Sequence, residues 1–90
     1  MSVTLRLPSV LESAVGASRV VVTGRTVGEA LAAACDALPN LRPHILLADG
    51  ELRPHVLCLL NGESLPREGL ADQPLRDGDE IQIHQAISGG

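Results

Sequence analysis

The 90-residue chain predicts a small α+β domain, a mixed sheet of about four to five strands packed on one main helix. Three observations lead there. Aliphatic residues alternate with polar ones near both ends of the chain, a single helical stripe occupies residues 27–38, and turn dipeptides break the remainder into short pieces.

In "SVTLRL", Val3, Leu5 and Leu7 alternate with Ser2, Thr4 and Arg6, the period of a strand with one buried face, and Pro8 ends it. A short polar, glycine-containing stretch around Gly16 to Ser18 leads into "RVVVT", a second strand by its β-branched residues, antiparallel to the first if the connection is tight. At "TVGEALAAACDALP" the period changes. Val27, Ala30, Leu31, Ala34 and Leu38 form one helical stripe, Thr26 and Glu29 supply a capping box, and Pro39 stops the helix. Such a stripe must cover the apolar face of a sheet.

Residues 40–54 carry mixed signals, with Pro43, Asp49-Gly50 and Pro54 interrupting short apolar pieces, and read as a long, partly ordered connection. It ends in "HVLCLLNGE". There Val56, Cys58 and Leu60 point one way and Leu57 and Leu59 the other, so both faces are apolar and the strand belongs in the middle of a sheet or beneath a partner. Asn61-Gly62 is the strongest hairpin dipeptide, folding the piece near Glu63 to Leu65 back on that strand. After a loop with two or three turns, "EIQIHQ" sends Ile81 and Ile83 inward and makes the last strand.

Composition excludes several functions. The chain is 44% hydrophobic without Phe, Tyr or Trp and carries net charge -4, so it has neither stacking rings nor a basic surface for nucleic acid. Its apolar runs are too short to span a bilayer and its start lacks the regions of a signal peptide, which reads as a cytoplasmic protein away from membranes. Cys35 and Cys58 are in no zinc-like spacing and read as small buried hydrophobes. His44, His55 and His84 lack the spacing of a metal site, and "LRDGDEI" lacks the spaced carboxylates of a calcium loop; no metal is expected.

The chain closes on "HQAISGG". Glycine loses the most backbone freedom on folding, so a terminal pair does not serve rigidity, and residues 86–90 are expected to form a flexible tail on a single domain of residues 1–90. The order of elements is that of the ubiquitin-like β-grasp. Within it, "LRDGDEIQIHQAISGG" resembles the end of the ThiS/MoaD family of sulfur carriers, where an acidic glycine-containing turn precedes a last strand, a few residues and a free Gly-Gly; "LCLLNGE" resembles that family's central strand and turn.

The resemblance implies that a ubiquitin-activating-like adenylyltransferase adenylates Gly90 with ATP, that a sulfur donor protein or sulfide converts the acyl-adenylate to a thiocarboxylate, and that an acceptor biosynthetic enzyme receives the sulfur. A free carboxylate is ionised and resists nucleophiles at neutral pH, hence the activation. Gly89, then Ser88 and Ile87, would be gripped as the tail threads into the partner, since a chain without Cβ atoms enters a narrow channel. No processing protease is required. The carrier supplies no acid, base or bound cofactor of its own, so it is not an enzyme, and Leu57 and Leu59 are candidates for docking unless the 40–54 connection covers them as core. The length of that connection resembles carriers that feed cysteine biosynthesis or secondary-metabolite thiolation, with the small subunit of molybdopterin synthase as runner-up. A non-covalent interaction module and a protein-conjugating modifier are the alternatives.

Overall fold

The computed structural model describes residues 2–85. Strands β1 (Ser2–Arg6) and β2 (Arg19–Thr23) are antiparallel, with Val3 opposite Val22 and Leu5 opposite Val20. Their connection is not a tight turn. It holds a helix, α1 (Ser9–Val15), that the sequence reading passed over, because only Leu11 and Val15 of it are buried while Val10 is 66% exposed. Its end is written in the chain as Gly16, whose φ of 87° lets its N–H reach the Glu12 carbonyl at 2.8 Å.

Helix α2 (Val27–Ala37) follows, with Val27, Ala30, Leu31, Ala34 and Cys35 buried. Thr26 Oγ1 accepts from the Glu29 N–H at 3.2 Å, and the glutamate reaches back one residue beyond the expected partner, accepting from the Arg25 N–H at 3.1 Å. The 40–54 connection is more ordered than expected. It contains a short helix, α3 (Arg42–Ile45), and an isolated bridge between Leu46 and Leu52, and it drives Leu41, Ile45 and Leu46 into the core. Pro43 sits in the first turn of α3, where a missing N–H costs nothing, so it starts the helix instead of breaking it.

Strands β3 (Val56–Leu60), β4 (Glu63–Ser64) and β5 (Glu80–Gln85) complete a five-stranded sheet of order β2-β1-β5-β3-β4. The turn between β3 and β4 has both Asn61 (φ 51°) and Gly62 (φ 88°) in the left-handed region, as a two-residue hairpin requires. The middle of the sheet is β5. It runs parallel to β1 and antiparallel to β3, while β3 has only the two-residue β4 between it and the edge. A 3-10 turn at Leu70–Asp72 closes over the start of α2, where Gly28 leaves room: a Cβ there would lie 3.0 Å from the Ala71 carbonyl oxygen.

One sheet face packs on the helices. Val3, Leu5, Val22, Val56, Cys58, Ile81 and Ile83 meet the buried stripe of α2 in a core of aliphatic residues and the two cysteines. Burying each large aliphatic side chain contributes about 1.5–3 kcal/mol, and among the described residues no polar or charged side chain is buried to offset it.

Candidate functional site

β5 carries the C-terminal end, so the site is built on what holds that strand. Its start is held by a node joining the two turns singled out in the sequence. The Asn61 side chain donates to Asp79 Oδ1 at 3.0 Å and accepts from the Glu80 N–H at 2.9 Å, while the Asn61 N–H donates to the Glu80 carbonyl at 2.8 Å. Asp79 Oδ2 accepts from the Arg76 N–H at 2.7 Å, and Asp77 accepts from the Ser2 N–H at 2.7 Å. Hydrogen bonds from the Arg76 N–H and then from Asn61 hold the Asp79 carboxyl below the usual carboxylate range. Gly78 takes the left-handed conformation that the turn needs, with φ 88°. The acidic turn therefore serves as an anchor, tying β1, β3 and β5 at one end of the sheet.

A second anchor holds the entrance of β3, beside the opposite end of β5, and sequence reasoning missed it. The Arg67 guanidinium donates to the carbonyl oxygens of Arg53 at 3.1 Å, Val56 at 2.6 Å and Pro54, with a longer contact to Leu52 at 3.4 Å. Val56 is the register partner of Gln85. The clamp thus fixes the strand entrance beside the last described residue of β5. Nothing in the sequence marks this arginine, because its partners are backbone groups of no particular residue type. The expected tail positions Ile87, Ser88, Gly89 and Gly90 lie outside the described residues.

The sheet face turned away from α2 presents Leu57, 41% exposed, and the half-buried Leu59. Their register neighbours on β5 are His84 and Gln82. Further across, Arg6 meets Glu80 at 3.7 Å, and Val21 is 64% exposed. The 40–54 connection does not cover this face, since its buried residues join the core on the helix side. Around the helices, Gly28, Leu31, Arg42, Leu46, Leu52 and Leu70 help line an open groove of about 670 Å³.

The other reactive groups are set apart from this face. Cys35 and Cys58 are free and buried; loss of solvation raises the pKa of both, and pushes Cys58 to about 11. His44 is on α3, His55 precedes β3 and His84 is on β5, and among the described residues no three His, Cys, Asp or Glu side chains are gathered in a metal-binding cluster. No helix of the described chain is long and apolar enough to cross a membrane.

A mixed sheet gripping one main helix, with its central strand anchored at its start and running out toward the C-terminus, is the ubiquitin-like β-grasp. The crystal structure of SAMP1 from Haloferax volcanii matches it with a TM-score of 0.86 at 33% identity, covering 100% of both chains, and that of Sulfolobus solfataricus Urm1 with 0.69 at 26%, covering 91% of this chain and 97% of that one. The chain belongs to the ThiS family, whose profile matches residues 6–90, and so to the ubiquitin-like sulfur carriers and modifiers. Small archaeal modifier protein 1 of Haloferax volcanii is 38% identical over 73 residues, 80% of this chain and 79% of that protein.

Proposed function

We propose that this protein is a sulfur carrier whose Gly90 carboxylate is adenylated by a ubiquitin-activating-like enzyme and converted to a thiocarboxylate. The observation that carries this is the "DGDE" turn, β5 and Gly-Gly sequence of a ThiS-family chain, with the turn acting as the anchor of the strand that leads to the tail. In the first step the Gly90 carboxylate attacks the α-phosphorus of ATP and pyrophosphate leaves. In the second, hydrosulfide adds to the carbonyl carbon, AMP departs with the electron pair of the C–O bond, and the thioacid loses its proton to give the thiocarboxylate. The domain works as a handle: it presents the carboxylate, and the partners supply ATP, sulfur and catalysis. The face bearing Leu57 and Leu59 docks the activating enzyme, as an apolar pair on an uncovered sheet face, one exposed and one half-buried, is suited to do. Ile87, Ser88 and Gly89 thread into its active site.

For the acceptor, we favour an enzyme of cysteine or secondary-metabolite synthesis, on the length of the 40–54 connection. Protein conjugation is the second reading, favoured by the names of similar proteins, small archaeal modifier protein 1 and, at 34% identity over 55 residues, ubiquitin-related modifier 1 of Laccaria bicolor. Intact-mass analysis after incubation with the host's activating enzyme, ATP and a sulfur source tests the proposal. The expected result is the exchange of one oxygen for sulfur at Gly90, lost when a residue is appended after it. An unmodified mass with no pyrophosphate released would exclude it.

A further inference from the structure

An activated carboxyl end is an acyl donor, and the first nucleophiles it meets are those of its own chain and of other copies at the same concentration. Lysine is among the commonest residues in proteins, and its amine is the usual side-chain acceptor of such groups. This chain has none. All seven of its Lys and Arg residues are arginines. A guanidinium stays protonated and has donors but no free lone pair to attack with.

Sulfur is withheld by a different device. Cys35 is 4% exposed and Cys58 2%, one in α2 and one in β3, both inside the core between the helix and the sheet. An acyl group on a slender tail cannot reach them without unfolding the domain. Serine and threonine hydroxyls need an adjacent base, and among the described residues no histidine is hydrogen-bonded to one. A histidine could take the acyl group only as a transient intermediate.

We propose that the side chains of this protein are inert toward its own activated terminus: no side chain of one copy accepts the acyl group of another, so copies are not linked through side chains and no side-chain-linked chain grows on a protein target. This rests on the activation of Gly90 proposed above. Were an amine present, its nitrogen would add to the Gly90 carbonyl carbon, lose a proton and expel AMP, leaving an amide. With the side-chain route closed, the terminus is left to an α-amine or to an external nucleophile, a sulfide or persulfide donor or the amine of another protein.

The test uses the full chain with its activating enzyme and ATP, without a sulfur source and with excess Nα-acetyl-lysine. The chain is first reductively dimethylated, which in this sequence has only the α-amine to modify. The expected products are released pyrophosphate and the acetyl-lysine amide, with no covalent dimer. A variant carrying Arg25→Lys, Arg42→Lys and Arg76→Lys, all exposed and off the open sheet face, is expected to give a ladder of covalent oligomers mapped to the new lysines. A wild-type dimer mapped to any side chain overturns the proposal. So does a variant that acylates acetyl-lysine yet forms no ladder, since amine supply would then not be limiting. If no pyrophosphate is released, the proposed activation itself fails and this inference falls with it.

Discussion

Cys58 and Leu57 are neighbours on β3, both apolar, and their environments are opposite: Cys58 is 2% exposed under α2, while Leu57 is 41% exposed on the open face. The difference does not come from residue type. It comes from having one main helix for a sheet with two faces, which leaves the side without a helix uncovered. The covered face holds the domain together, and the open face is free to do something else. Substitutions on the two faces should therefore separate stability from partner binding.

The largest effect is expected on the covered face. Ile81→Ala removes a fully buried side chain from the central strand and should cost about 2–5 kcal/mol, read as a lower midpoint in urea unfolding. An unchanged midpoint would show that β5 is not the packing centre. Next is the pH response of the same face. Burial raises the Cys58 pKa to about 11 from 9.0, so the native state keeps its proton where the unfolded chain has lost it. Stability is then full below about pH 9 and falls between about pH 9 and 11, by roughly 2 kcal/mol. Cys58→Val should flatten that decline in paired melts at pH 8 and pH 10.5, and an equal decline in the variant would refute the assignment.

The anchor of β5 comes third. Asp79→Ala removes one charge-assisted bond from the Arg76 N–H and one from Asn61, and should lower Tm by a few degrees, about 1 kcal/mol. Because the folded-state pKa of Asp79 is lowered, its contribution is present above the unfolded value of 3.8 and is lost as pH falls through the folded value. The stability difference between wild type and variant should thus shrink in acid. The smallest change in stability is expected on the open face. Leu57→Asp and Leu59→Asp should stay folded, the first within about 0.5 kcal/mol of wild type, while weakening capture by the activating enzyme in a pull-down or calorimetric titration. If either unfolds the domain, that residue belongs to the core and the two faces are not separable.

Much of this was legible in the chain because it rests on local repetition. The inward set Val3, Leu5, Ile81 and Ile83 and the stripe of α2 follow from periods of two and 3.6, and Asn61-Gly62 marks its turn by the sign of φ. Two helices were missed for reasons of length: α1 buries only two residues and α3 is a single turn, too short for any period to register. Their surest marks were terminal ones, Gly16 after α1 and Pro43 within the first turn of α3. Of the site, the acidic turn was visible as a motif, but its bonding to Asn61 was not, since 18 residues separate the partners.

The sequence alone determined the aliphatic composition of the core, the positions that must face it, the turns and the family pattern at the C-terminal end, all properties of neighbours in the chain. Only the tertiary structure decided that β5 lies at the centre of the sheet, that Arg67 clamps the backbone before β3, and that Leu57 rather than Cys58 is left open. The physical reason is that strand order and face coverage depend on contacts between distant segments, which local periodicity limits but does not choose among.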